Sequence, residues 1–301
     1  MGRKLRNHWI IAVTSLIIVA AGPALAQQDF SKVEITTTKL SDTLYMLEGA
    51  GGNIGVSAGA DGVYLIDDQY APLSEKILAA LKAISDKPVK YVINTHWHGD
   101  HVGGNENFNT LGAAIIAHEA VRARMEKGQH MAFFNMTVPP APAAALPSIT
   151  YRDGIVLHLN GEAAKIIHID PAHTDGDSII HWPAANVIHT GDAIVKGRYP
   201  FIDLGSGGTF DGVIKAAETV MALANAATKI VPGHGPLASK ADVAELRNMM
   251  VTVRARVLAA KAAGQTLQQW VAAKPLADFD ATWGQGFIKP DQFAQIAFEA
   301  L

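Results

Sequence analysis

The chain has 301 residues, a formal net charge of −3 and no cysteine. Disulfides and thiolate metal ligands are therefore excluded. The sequence shows no basic stripe, so nucleic-acid binding has no electrostatic support, while 49% hydrophobic residues suffice for a sizeable core.

The N-terminus has the three parts of a secretory signal. Arg3, Lys4 and Arg6 give a basic start, Trp9 to Ala21 is apolar, and Ala24-Leu25-Ala26 has the small-x-small pattern cut by signal peptidase. Residues 1–26 are expected to be removed, leaving residues 27–301 as the folded domain. The mature chain would be periplasmic or secreted, with no stable membrane insertion. Removing three basic and no acidic residues takes the net charge from −3 to −6.

The mature part opens with strand-like segments at Val33–Thr37, Leu44–Leu47, Asn53–Ala58 and Val63–Asp67, punctuated by Gly and Asp. Pro72–Ile84 reads as a helix, with Leu73, Ile77, Leu78, Leu81 and Ile84 on one face. Val89–Asn94 and Ala114–Ala117 read as short strands and Glu119–Lys127 as a helix. Gly128–Pro147, with four prolines and the apolar set Met131, Phe133, Phe134 and Met136, reads as a long irregular loop. Strands return at Ile155–Leu159, Ala164–Ile169, Ser178–Trp182, Asn186–His189 and Lys229–Val231. Helices are expected over Phe210–Ala224, Asp242–Ala263 and after Pro290. Two rounds of strands followed by helices suggest α/β layers.

The richest segment is Thr95-His96-Trp97-His98-Gly99-Asp100-His101, directly after the apolar strand Val89–Ile93. Residues two apart in an extended stretch face the same way, so His96 and His98 can reach one ion together. Asp100 and His101 lie past Gly99, where the chain can turn and present them to a second ion. Imidazole and carboxylate suit a borderline-soft divalent cation, zinc above all. Such a site needs further ligands. His173, Asp192 and His234 each follow a strand in a loop of small residues. Singly, each is weak evidence. Together with the His-rich loop they form a set.

That set, THWHGDHVGGN over Thr95–Asn105 with Pro171–Thr174, Gly191-Asp192 and Pro232–Gly235, resembles the metallo-β-lactamase superfamily over roughly Leu44–Leu246. The resemblance implies a four-layer αββα sandwich. It implies that His96, His98 and His173 hold one zinc ion, that Asp100, His101 and His234 hold a second, and that Asp192 bridges them. Iron or manganese would also suit these donors. Asp67 matches the aspartate that supports the His-rich loop from outside the ligand set. Lys196 lies near where the two-zinc β-lactamases place a lysine for the substrate carboxylate. Those enzymes carry a cysteine at the position of Asp192. An aspartate there resembles the wider hydrolases, glyoxalase II and phosphodiesterase relatives among them.

The implied function is hydrolysis of an amide, lactam, ester or lactone in a small-molecule substrate, by water that two metals make acidic, with Asp100 orienting it and relaying a proton. A phosphodiesterase or a glyoxalase II-like thioesterase is the alternative. Phosphoesters attract cations, and Lys196 and Arg198 are the only ones close in sequence. A metal-dependent redox enzyme or a periplasmic metal carrier would use the same ligands, but a carrier needs no open pair of ions. His118, His158, His168 and His181 read as packing or surface residues, and His189 as burial or support of the Asp192 loop.

Overall fold

The computed structural model describes residues 29–301. The expected signal over residues 1–26, and the start near Gln27, lie outside the described residues. Within them no helix is long and apolar enough to cross a membrane.

The first sheet is built from β1 (Thr36–Lys39), β2 (Leu44–Glu48), β3 (Ile54–Gly59), β4 (Gly62–Ile66), β5 (Val89–Ile93) and β6 (Ala114–His118). After the small hairpin β7 (Gln129–Met131) and β8 (Met136–Val138), β9 (Ile149–Tyr151) completes it. The order is β1-β2-β3-β4-β5-β6-β9. Pairing is antiparallel up to β4 and parallel from β4 to β9. The second sheet runs β10 (Gly154–Leu159), β11 (Glu162–His168), β12 (Ser178–Trp182), β13 (Val187–His189) and β14 (Lys229–Val231) in that order. Only its last pair, β13 with β14, is parallel.

The central strands of both sheets are buried on both faces, while the edge strands β1 and β10 leave residues exposed, and the period of two sorts the side chains. In β4, Tyr64 and Ile66 face the second sheet, while Val63 and Leu65 face outward. Leu44, Met46, Ile93 and Ile116 join the inner layer and meet Ile166, Ile180, Trp182 and Val187 of the second sheet. The outer face of the first sheet is covered by α1 (Ser74–Ile84), through Ile77 and Leu81. A short helix, α2 (Gly99–Val102), follows the His-rich loop, and α3 (Asn105–Thr110) adds Phe108 to the same cover. α4 (Glu119–Lys127) packs Val121 and Met125 against Trp97 and Met131. The outer face of the second sheet is covered by α5 (Phe210–Leu223) and α6 (Lys240–Ala262). Three further helices, α7 (Leu267–Ala272), α8 (Ala277–Trp283) and α9 (Pro290–Ala300), complete that layer. The result is a four-layer αββα sandwich.

Several boundaries differ from the sequence expectation. The first strand is Thr36–Lys39, because Asp29 caps a 3-10 turn over Phe30–Lys32 and delays it. Asp67 lies beyond the end of β4 and has a positive φ of 63°. Gly128–Pro147 is not an irregular loop. It contains the β7–β8 hairpin and two 3-10 turns, and Met131 is buried at 7% exposure. Periodicity cannot mark strands of three residues. The same limit hid β9, α3, α7 and α8.

One polar contact crosses the inner layer. Trp182 Nε1 donates to Tyr64 Oη at 2.8 Å, with both side chains buried. Removing the acceptor would leave a buried N–H without a partner. Tyr64→Phe is therefore expected to lower the unfolding free energy by about 1–3 kcal/mol, read as a lower denaturant midpoint at unchanged slope.

Candidate metal centre

Five chain segments bring their ends to one edge of the sandwich. Asp67 follows β4 and the His-rich loop follows β5, which are parallel neighbours. Asp192 follows β13 and His234 follows β14, also parallel neighbours. His173 lies in the turn between β11 and β12. Parallel pairing places the C-terminal ends of both pairs together, so residues far apart in sequence converge.

The seven expected ligands do converge. His96, His98 and His173 form one group, and Asp100, His101 and His234 another. His96 and His101 also group with Asp192, and within each group the ligand atoms lie within 4.8 Å of one another. Asp192 stands between the two triads. Its Oδ2 is 3.3 Å from His234 Nε2 and 3.7 Å from His173 Nε2.

The outward hydrogen bonds decide where each imidazole carries its proton. His173 Nδ1 lies 2.8 Å from the Phe201 carbonyl, which can only accept, so Nδ1 carries the proton. His98 Nε2 donates to Asp203 Oδ2 at 2.9 Å. Asp203 is held below the usual carboxylate range, burial being outweighed by hydrogen bonds from His98 and Ser206. His101 Nδ1 donates to Asp67 Oδ2 at 2.8 Å. Thr95 Oγ1 donates to Asp67 Oδ2 at 2.8 Å and so accepts from His96 Nδ1 at 3.0 Å. The remaining nitrogens of the first triad, His96 Nε2, His98 Nδ1 and His173 Nε2, therefore offer lone pairs to the interior, and His101 Nε2 is the atom of that ring turned toward Asp192.

Two of them face each other closely, with His98 Nδ1 2.7 Å from His173 Nε2. Two lone pairs at that distance repel. His96 Nε2 is buried and has no hydrogen-bond partner, and Asp192 Oδ1 faces only His101 Nε2 at 3.2 Å. Buried polar atoms without partners are costly, and a divalent cation would satisfy all of them at once. The donor set, nitrogen and carboxylate without sulfur, suits zinc and also iron or manganese.

The two triads differ electrostatically. Burial and the neighbouring histidines hold His96 well below the usual histidine range, and burial with His98 lowers His173. Burial also opposes charge on His101, but Asp192, Asp100 and Asp67 raise it well above that range. Asp192 raises His234 to about 9. Burial opposes ionisation of Asp100, yet His101 and His234 bring it down to about 2. Asp100 Oδ2 lies 3.2 Å from His234 Nε2. Without an ion, protons on His101 and His234 take the place a cation would fill.

Close backbone packing makes room for this. A Cβ on Gly233 would fall 1.8 Å from Asp192 Oδ1, and one on Gly52 would fall 2.2 Å from the His101 ring. Asn53 ties the two loops together. Its side-chain amide donates to the Pro232 and Gly235 carbonyls at 2.9 and 2.8 Å, and its carbonyl lies 3.1 Å from His189 Nε2. His189 Nδ1 accepts from Gly191 N, so His189 supports the Asp192 turn. Asp177 fixes the His173 turn by accepting from the backbone of His173 and Thr174. His118 and His168 stack on each other at 3.8 Å, His158 is exposed and His181 is buried in β12, all outside the ligand groups.

Lys196 is placed otherwise than expected. Its ammonium pairs with Asp242 at 3.1 Å and donates to the Leu237 carbonyl at 3.0 Å, tying the Asp192 loop to the first turn of α6. Sequence reasoning also missed Asp203, Asn53, Gly52 and Phe201. None sits in a recognisable spacing, and each is defined by what it touches.

Residues 49–234 match the family model described as the metallo-beta-lactamase superfamily. The chain is 25% identical over 189 residues to the beta-lactamase-like protein 2 homolog of Caenorhabditis elegans, covering 60% of this chain and 55% of that one. It is 29% identical over 161 residues to a hydroxyacylglutathione hydrolase of Pelagibacter ubique, covering 51% and 56%. A linear primary-alkylsulfatase of Pseudomonas is 23% identical over 225 residues, covering 63% and 42%. The chain spans about half the length of these relatives. Among solved structures, a metallo-beta-lactamase from Pontibacter korlensis superposes with a TM-score of 0.62 at 16% identity, covering 72% of this chain and 99% of that one. The DIM-1 metallo-beta-lactamase gives 0.59 at 14%, covering 73% and 99%. At such identities these two establish the shared fold.

The raised His101 and His234 make metal binding a proton exchange. Zinc added to metal-free protein at pH 7 in weak buffer is expected to release at least about one proton per chain. Release should decline as pH rises through about 9, where His234 has lost its proton unaided, and apparent affinity should fall as pH is lowered. Zinc binding without proton release at pH 7 would show that His101 and His234 carry no extra proton in the metal-free protein.

Proposed function

The chain belongs to the metallo-β-lactamase superfamily of metal-dependent hydrolases, and on that premise we propose that it works with two metal ions on an acyl bond: an amide or lactam, or an ester or lactone. The supporting observation is the pair of triads bracketing Asp192, with the inward nitrogens of the first crowded together and His96 Nε2 buried and unpartnered. One ion would be held by His96, His98 and His173, a second by Asp100, His101 and His234, with Asp192 shared. When bound, the ions supply Lewis acidity and acidify a water.

The protein's own groups do the rest. Asp67 accepts from Thr95 N at 2.7 Å, from Thr95 Oγ1 and from His101 Nδ1, and so locks the His-rich loop and one tautomer. Asp203 and the Phe201 carbonyl do the same for His98 and His173. Such outward partners keep ligand nitrogens oriented. Asp100 Oδ2, 23% exposed and beside His234, can take a proton from the attacking water and pass it to the leaving group.

A thioester is the second reading. It is supported by the aspartate at position 192 and by relatives named as hydroxyacylglutathione hydrolases. A phosphodiester is the third reading: of the two cations expected to attract one, Lys196 is already paired with Asp242, which leaves Arg198. β-Lactam hydrolysis enters as one member of the acyl class.

The test is turnover of a β-lactam, a lactone, an acyl-glutathione and a phosphodiester by zinc-loaded and chelator-treated protein. Metal-dependent turnover of an acyl substrate is expected. Turnover of the phosphodiester alone would replace the proposal, and no metal-dependent turnover would overturn it. Asp192→Ala should lower second-ion affinity and kcat/KM together, by at least the ~10–100-fold that loss of an outer partner costs.

The basic start, apolar run and Ala24-Leu25-Ala26 further support export to the periplasm or beyond. Mass spectrometry of protein from its native compartment should find the N-terminus at or near Gln27; intact Met1 in the cytosol would exclude export.

A further inference from the structure

Residues 235–301 lie beyond the family match, yet part of this tail reaches the site. The loop between α8 and α9 carries Gly286 and Phe287. A Cβ on Gly286 would fall 2.7 Å from Arg198 Cβ, so this loop packs directly on the arginine stem. The guanidinium then lies over Gly235, the residue after His234, with its terminal nitrogen 2.7 Å from a Cβ built there. Gly235 has a φ of 87°, which also disfavours a side chain that would displace it.

Arg198 differs from every other described arginine. Arg122, Arg124, Arg152, Arg247, Arg254 and Arg256 each pair with a carboxylate. Arg198 is partly buried, and no carboxylate or carbonyl among the described residues pairs with it. A guanidinium presents a fork of N–H donors suited to an oxyanion. Here the fork stands unpartnered beside a metal triad.

Next to it runs an aromatic wall. Phe287 is 71% exposed and lies 5.4 Å from Phe134, ring to ring. Phe134 lies 4.9 Å from Phe201, and Phe201 lies 5.7 Å from the His173 ring and 6.1 Å from that of His98. The β7–β8 hairpin thus meets the C-terminal loop over the first triad. From His173 to His234 the contacts form a continuous arc: Phe201, Phe134, Phe287, Gly286, Arg198, Gly235.

We propose that this arc selects the substrate: Arg198 binds an anionic group of it, and Phe134, Phe201 and Phe287 hold an apolar arm. The enzyme then prefers amphiphilic anions, molecules with an oxyanion on one side of the scissile bond and a hydrocarbon or aryl group on the other. This rests on the hydrolase reading above. It assigns to Arg198 the recognition expected of Lys196, whose charge is held by Asp242. The exposed Phe287 side chain gains a function, since contact with an apolar arm would remove it from water.

Binding to zinc-loaded protein tests this without relying on turnover. The probes are phenylbutyl sulfonate and the neutral phenylbutanol, measured by calorimetry. A sulfonate is a poor metal ligand, so its affinity reports the arginine rather than the ions. Wild-type protein should prefer the sulfonate. Arg198→Ala should weaken sulfonate binding about 10-fold or more, as expected for hydrogen bonds to a charged group, and leave the alcohol unchanged. Arg198→Lys should recover part of the loss. Phe287→Ala should weaken both probes alike. Zinc content should match wild type in all three variants. Equal affinity for the two probes, no binding of either, or sulfonate binding insensitive to Arg198→Ala would overturn the inference. Metal-dependent turnover of the acyl panel would then still stand, so a failure here is distinguishable from failure of the hydrolase proposal.

Discussion

Imidazole lone pairs repel when forced together, and this structure forces them together. His98 Nδ1 and His173 Nε2 stand 2.7 Å apart, and His96 Nε2 is buried beside them without a partner. Outward hydrogen bonds keep the protons on the far nitrogens, so the inner faces cannot relax by changing tautomer. A cation turns that repulsion into coordination. Without one, the second triad is held by protons on His101 and His234 under the influence of Asp100 and Asp192.

Holding such a site requires a frame that does not yield. Asp67 accepts three hydrogen bonds from the His-rich segment while fully buried and in a left-handed conformation. A strained residue of this kind persists only where its surroundings over-determine it, and here its partners are the ligand loop itself. Asn53, just before β3 of the first sheet, and His189, at the end of β13 of the second, bind the His234 and Asp192 loops to one another. The two sheets meet through an apolar layer in which Tyr64 and Trp182 share a hydrogen bond. Both halves of the centre are therefore fixed relative to a packed core, not to flexible loops alone.

The candidate metal centre and the proposed recognition arc draw on different parts of the chain. The ligands and their outward partners lie at strand ends within the family match. Phe134 belongs to the β7–β8 hairpin within that match, and Phe287 to the helical tail beyond it. The tail beyond the match thus packs against the same edge of the sandwich as the metal centre, consistent with the rule that function resides in sites carried by a fold.

The candidate ligand residues were legible in the sequence through local spacing, and their grouping through the family resemblance. His96 and His98 are two apart in an extended segment, Gly99 starts a helical turn that swings Asp100 and His101 round, and His173, Asp192 and His234 each follow a short strand. The short apolar runs of β2, β4 and β12 likewise read as strands. What only the tertiary structure decided are relations between distant residues. Asp203 holds His98 across 105 positions, and Asn53 reaches Pro232 across 179. Lys196 and Arg198 lie two residues apart with the same charge, and no local pattern separates them. Asp242 at the start of α6 captures one, while Gly235 and Gly286 leave the other stretched beside the site. Spacing along the chain records which side chains share a face. Which of them find partners depends on packing between segments that the sequence does not order in space.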